Sequence, residues 1–409
     1  MPKSKTISVF EHERLTLKTE PNFTVKHFEQ LEKYHGIHGT PYFSLIHKGV
    51  KFNQYVGVIQ VGDTTIEVLP KTDRSKLNKN TWKDVLIQML RITSGIEATS
   101  TSKSDLKLHS NSIFDLYIEL FIKECEKLTH QGLAKKYRKV KENQTALKGR
   151  LHLPGQIREN PIHKERFHVE YSKYDQNHLI NQILKKTLTV LTQIPIRYDL
   201  RSRVKRQLLY FEDMNDCVVN DQLFQNIHLN RKTERYSEAI EIARLILLNY
   251  HPDISRGRNH VLALMFDMNQ LWERFISKMM KRHLSDRYLV KAQGNKVFWR
   301  SPRSRKRLKP DILLIPKRKG DAKIVVDTKW KTPFQFNPSD NDLRQIFAYN
   351  RLFECQTGIL LYPGSEKQNT GNFESKFGGT CTMQSINVLD EAGNLMVSGR
   401  LLNSFLTPL

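Results

Sequence analysis

Two apolar runs in the last third of the chain each carry an aspartate at their margin, in the stretch KPDILLIPKRKGDAKIVVDTKWK from Lys309 to Lys331. An ionised carboxylate beside apolar sequence is costly unless something positive holds it. In an extended strand alternate residues share a face, so Asp327, Lys329 and Lys331 project together while Thr328 and Trp330 oppose them. If the two runs pair as a hairpin with an odd loop, Lys317 to Asp321, Asp311 stands directly opposite Asp327 on the same face. An even loop centred on Lys319 and Gly320 would separate the two unless a bulge intervened.

Two carboxylates at a cross-strand distance of roughly 5 Å repel each other, and a hard divalent cation relieves the repulsion. Oxygen ligands with open positions favour Mg²⁺ or Mn²⁺. A metal on Asp311 and Asp327 beside a lysine suits phosphodiester hydrolysis. The metal would activate a water, and Lys329 would orient that water or add positive charge. On the upstream helix, Glu273 falls in the stripe of Phe266, Ile276 and Met280 and so faces the apolar side, a third candidate ligand. Downstream, Asp342, Gln345 and Tyr349 share a helix face and would reach a bound phosphate or the DNA backbone, as would Lys331.

Each residue also has a plainer reading. Asp311 would be a strand-edge or turn aspartate, and Asp327 half of a surface ion pair with Lys329. Glu273 would be a hydrogen-bonded helix carboxylate, Gln345 and Tyr349 the wet side of a helix, and Lys331 a solvated charge. SRKRLK, Ser304 to Lys309, reads equally as a solvated loop or a DNA contact. His35 and His38 have no cysteine or carboxylate spacing to support them as ligands and read as loop histidines. FGGT, Phe377 to Thr380, reads as a turn and not a phosphate cradle.

The elements around these residues follow from periodicity. Residues 1–96 read as a β-rich N-terminal domain, with YFSLI, QYVGVIQV, a Gly-Asp turn and TIEVLP as strands and a helix near Trp82 to Ile92. A polar linker from Glu97 to Ser110 follows. Residues 111–250 read as mainly helical, from IFDLYIELFIKECEKL and stretches near Ile180 to Leu191 and Ser237 to Leu248. A second boundary falls at HPDISRGRNH, His251 to His260. Residues 260–409 open with a helix over NHVLALMFDMNQLWERFISKMMKRH. Strands near Tyr288 to Val290 and Val297 to Arg300 come next, then the two aspartate-bearing runs. A helix from about Asp340 to Glu354 and the strand TGILLY complete an α/β arrangement.

The 409 residues are too many for one ordinary core. Sixty-six Lys and Arg against 42 Asp and Glu give a formal charge of +24, beyond what solubility needs, and point to a polyanion, with nucleic acid foremost. No uninterrupted apolar stretch of about 18 residues speaks for a membrane. The start lacks the apolar core of a signal peptide. Cys125, Cys217, Cys355 and Cys381 form no C-x-x-C pair, so a reducing cytoplasm is expected.

Pro310-Asp311, followed by Asp327-x-Lys329, resembles the PD-(D/E)xK nuclease motif, with Asp in place of the commoner Glu. Gln345-x-x-x-Tyr349 looks like the Q-x-x-x-Y element of its RecB-like and Cas4-like branch. YVGVIQVGDTTIEVLPK, LKGRL at Leu147 to Leu151, YDQNHLINQILKKTL at Tyr174 to Leu188, and LWERF at Leu271 to Phe275 resemble McrC, the nuclease subunit of McrBC-type 5-methylcytosine-dependent restriction systems. The resemblance spans roughly residues 40 to 365. It implies an α+β multidomain fold with a restriction-endonuclease-like C-terminal domain, a double-stranded DNA substrate and Mg²⁺ on Asp311, Asp327 and Glu273. It also implies a hexameric AAA+ GTPase partner of McrB type, bound and stimulated through the β-rich N-terminal part. GTP would act through that partner, since the chain has no G-x-x-x-x-G-K-[ST] loop. Two rivals remain at this point: a standalone RecB- or Cas4-like repair nuclease, and a non-cleaving DNA-binding activator of an AAA+ motor.

Overall fold

A computed structural model describes residues 5–62, 64–71, 78–93, 113–194, 196–252, 260–318, 320–375, 379–390 and 393–397. The expected linker at Glu97 to Ser110 and most of His251 to His260 lie outside the described residues. The chain forms two compact units, Met1–Lys107 with Met265–Leu409, and Leu108–Leu264. The N-terminal and C-terminal parts of the expected three-part division therefore share one unit.

The N-terminal part contains β1 (Lys5–Phe10), β2 (Arg14–Thr16), α1 (Val25–His38), β3 (Phe43–Ile46), β4 (Gly49–Phe52), β5 (Tyr55–Val61), β6 (Thr64–Leu69) and α2 (Lys79–Thr93). β6 pairs antiparallel with β5 and parallel with β1, while β4 pairs with β2 and β3. Every residue of β6 is buried, which explains a strand of threonine and β-branched residues with so little polar alternation. One expectation fails here. His35 and His38 belong to α1, not to a loop: the helix runs on to His38 and stops at Gly39, whose φ of 54° suits a residue without Cβ. His35 packs on Phe43 with ring centroids 5.5 Å apart.

The second unit holds α3 (Ile113–His130), β7 (Lys136–Gln144), β8 (Arg150–Leu151), α4 (Leu153–Glu159), β9 (Phe167–Asp175), α5 (Leu179–Gln193), α6 (Tyr198–Leu209), α7 (Asp221–Gln225), α8 (Ser237–Asn249) and β10 (Tyr250–Pro252). Its core is helical as expected, with α5 against α6 and α8. A sheet in the order β7-β9-β8 accompanies it, which the helical reading missed. KYRKVKENQ makes a strand whose residues are all at least partly exposed, so no apolar period marks it.

β11 (His260–Asp267) pairs with β10 and leads into α9 (Met268–Leu284). Sequence periodicity merged these two into one helix. The strand is cut from the helix by Asp267, whose carboxylate caps α9 by accepting from the backbone N–H groups of Asn269 and Gln270 at 2.8 and 3.3 Å.

The C-terminal part continues with β12 (Tyr288–Ala292), β13 (Lys296–Arg300), β14 (Arg305–Leu308), β15 (Ile312–Pro316), β16 (Ile324–Thr328), α10 (Asp340–Phe353), β17 (Thr357–Pro363), β18 (Lys367–Asn372) and β19 (Thr380–Ile386). Six strands form one mixed sheet in the order β12-β15-β16-β17-β19-β18. β15 and β16 are antiparallel, and α10 makes the crossover from β16 to its parallel neighbour β17. Leu313, Val325, Leu360 and Met383 pack with Ile346, Tyr349 and Phe353 of α10. On the opposite face Trp330 meets Trp272 of α9, with ring centroids 5.2 Å apart. Sheet and helices thus form a three-layer sandwich that fixes where β15 and β16 end.

Candidate active site

Within β15 and β16, Ile312 lies opposite Val326 and Leu313 opposite Val325. One step further along this register, Asp311 faces Asp327. Leu313 and Val325 belong to the α10 side of the sheet, so the two aspartates open on that side. The even sum of paired residue numbers is the parity that an odd loop provides.

Local bonds hold each group. Asp311 Oδ2 accepts from the Thr328 backbone N–H at 2.7 Å and from its hydroxyl at 2.9 Å. The Lys329 backbone N–H donates to the Leu361 carbonyl at 2.9 Å, which carries the β16–β17 ladder past the formal strand end. Its ammonium lies 2.7 Å from Asp327 Oδ2 and 3.8 Å from Asp342 Oδ1, and it donates to Gln345 Oε1 at 3.0 Å. Lys331 pairs with Asp342 Oδ2 at 2.7 Å.

Electrostatics follow from this enclosure. Asp327 is 1% exposed, and its pKa is pushed up to about 6 by burial and by the Asp311 charge, against the pull of Lys329. Burial likewise raises Asp311. Burial opposes the charge on Lys329, but Asp327, Asp342 and Asp311 outweigh it and hold the ammonium above its ordinary range. Asp342 is buried too, yet bonds from Lys331 and Ser339 keep it below the usual aspartate range.

The remaining predicted residues sit at the margin. Glu273 Oε1 accepts from Gln293 Nε2 at 3.0 Å, and the Gln293 backbone N–H donates to the Asp311 carbonyl at 2.8 Å. Burial and the Asp311 charge raise the Glu273 pKa, so the carboxylate stands within electrostatic reach of the pair. Tyr349 is buried, not on a wet helix face. Its hydroxyl donates to the Lys309 carbonyl at 3.1 Å and accepts from Gln345 Nε2 at 2.8 Å. Gln345 and Tyr349 therefore brace Lys329 and the approach to Asp311. Thr328 was not singled out from sequence, where only its place beside Asp327 marks it. Asp342 was read as a phosphate contact, and its grip on both lysines appears only once α10 is packed.

Among the described residues no three His, Cys, Asp or Glu side chains converge as a ready-made metal cluster. The pair itself nonetheless fits a hard cation. Two oxygen donors face each other in register, and the nearly dry Asp327 is destabilised by its neighbour's charge. A divalent ion on Asp311 and Asp327 would remove that penalty.

The fold and this cluster define a class first: a mixed α/β protein whose C-terminal sheet presents paired aspartates beside a firmly protonated lysine. The family model described as McrBC 5-methylcytosine restriction system component matches residues 50–363, and the chain belongs to that family. The resemblance to the McrBC family is thereby borne out. The Type IV methyl-directed restriction enzyme EcoKMcrBC of Escherichia coli (strain K12) is 20% identical over 274 residues, covering 62% of this chain and 77% of that protein. A chain from the assembly of Thermococcus gammatolerans McrB AAA+ hexamers with bound McrC shares the fold. It has a TM-score of 0.63 and 19% identity, and the match covers 98% of this chain and 100% of that one.

Proposed function

We propose that the chain is the nuclease subunit of a McrBC-type restriction system and that its C-terminal sheet, with α9 and α10, is a PD-(D/E)xK domain cleaving double-stranded DNA. The observation that carries this reading is the register placing Asp311 opposite Asp327, with Lys329 bonded to the latter. Mg²⁺, or Mn²⁺, held by Asp311 and Asp327 with Glu273 at the margin, would supply an activated water and offset phosphate charge.

The protein's own groups do the positioning. Thr328 locks the Asp311 carboxylate with two bonds. Lys329, held protonated, acts as a fixed cation toward charge developing on the phosphate rather than as a base. Asp342 and Gln345 set where that ammonium rests.

The structurally similar chain comes from an assembly of McrB AAA+ hexamers with bound McrC. That likeness supports a hexameric AAA+ partner of McrB type for this chain; the resemblance of its sequence to McrC adds that the partner would bind GTP and that this chain would stimulate its GTPase. Co-purification with such a motor and cleavage assays on methylated and unmethylated duplexes test the reading. Cleavage should require both chains, GTP and Mg²⁺. Cleavage by the chain alone, at a rate the motor does not change, would make it a standalone nuclease.

A further inference from the structure

The hairpin of β13 and β14 is not used by the chemistry above, yet it grows out of the same site. One leg begins at Gln293, which bonds both Asp311 and Glu273; the other ends at Lys309, whose carbonyl takes the Tyr349 hydroxyl. Lys296 anchors the base by donating to the Leu352 carbonyl at 3.0 Å. Beyond that base, among the described residues, the ribbon's strands pair only with each other, as a separate two-stranded sheet.

Its composition is one-sided. From Lys296 to Lys309 half of the 14 residues are Lys or Arg and none is acidic. The register sets Arg300 opposite Arg305 and Trp299 opposite Lys306, with Phe298 left over in a bulge. Like charges directly across a strand pair destabilise it. Phe298 and Trp299 are 54% and 49% exposed, which adds nothing to a core. Both features work against the isolated ribbon and in favour of an anionic partner with apolar edges.

We infer that the Lys296–Leu308 ribbon is the DNA-gripping element of the site, lying in a groove of duplex DNA and delivering the adjoining phosphates to Asp311 and Asp327. A two-stranded ribbon fits the major groove. Arg300, Arg303, Arg305 and Lys306 would meet phosphates, and Trp299 would pack on the groove wall. The inference rests on the nuclease reading for its purpose but not for its test.

Of the chain's four tryptophans, Trp82, Trp272 and Trp330 are buried, so Trp299 is the one that solvent quenchers reach. Adding a metal-free 30-base-pair duplex to the full chain should shield it from iodide quenching, and Trp299→Phe should abolish that change. Replacing Arg300, Arg303, Arg305 and Lys306 by Gln should reduce the slope of log affinity against log salt by about 3–4, at roughly 0.9 per phosphate contact. The same four-fold replacement at Lys18, Lys26, Lys48 and Lys51 should leave the slope nearly unchanged. Equal loss in both sets, or unchanged Trp299 quenching at saturating duplex, would overturn the inference. Shielding by single strands but not by duplex would overturn the groove placement. An Asp327→Ala chain that still cuts, while the ribbon variant loses DNA, would sink the nuclease-site reading and leave the ribbon standing.

Discussion

Asp327 sits where its own charge works against the fold. Its pKa in the folded chain is about 6 against an ordinary 3.8, so the folded state binds a proton more tightly than the unfolded state between those values. Its contribution to stability is greatest below pH 3.8 and is lost as pH rises through 6. Asp327→Asn removes that penalty and should raise stability at pH 8 by on the order of 3 kcal/mol, a gain that fades toward pH 4. Thermal melts across that range check the sign. Mg²⁺ should then raise the melting temperature of the natural chain at pH 8 and leave Asp327→Asn unmoved, because a ligand stabilises only the state that binds it. An equal Mg²⁺ shift in both would place the metal elsewhere. The face-sharing of Asp327 and Lys329 was legible in sequence because strand alternation is rigid, whereas that of Asp311 with Asp327 hung on a loop parity that periodicity left open and only the β15–β16 register decides. The clamp of Asp342 on Lys329 and Lys331 was not legible, since no local period says where a crossover helix sets its first turn.

At the scale of elements, α10 must lie close on the sheet for Asp342 and Gln345 to reach Lys329. Gly358 of β17 permits it: a Cβ there would come within 2.3 Å of Ile346 Cγ2 and 2.9 Å of Asn350 Oδ1. Gly358→Ala should therefore cost about 1–3 kcal/mol and reduce cleavage more than DNA binding, measured by melts and by parallel binding and cutting assays. A second constraint joins the N-terminal part to the site strand. Glu11 Oε1 accepts from Trp330 Nε1 at 2.7 Å and from the Lys71 backbone N–H at 2.9 Å, while Oε2 makes no hydrogen bond. Burial pushes its pKa up to about 7 from 4.5, so its favourable contribution is lost as pH rises through that window. Glu11→Gln keeps an acceptor for both donors and should gain stability over the natural chain progressively from pH 4.5 to 7, then level off. A gain that ignores pH would refute the buried-carboxylate origin. The amphipathic helices α3, α5 and α10 were readable from apolar spacing. β11 was lost into α9 because a short apolar run has no period of its own, and β7 because its strand face is polar on both sides.

For the molecule as a whole, a charge of +24 would make the proposed DNA association steeply salt-dependent, and the acid cluster of the site is a small negative island within it. Composition points to a polyanionic partner. It did not foretell that N-terminal and C-terminal segments would form one compact unit, because contacts between residues as distant as Glu11 and Trp330 leave no trace in periodicity. Within that shared unit the Trp330 to Glu11 hydrogen bond ties the N-terminal part to the segment that follows β16. The most direct measurement is GTP-dependent cleavage of methylated duplex by the assembled complex carrying Asp327→Ala or Lys329→Ala, with GTP turnover followed in the same samples. Both variants should lose cutting while GTP turnover and DNA binding persist. Nicking by either variant at the natural rate would contradict the site.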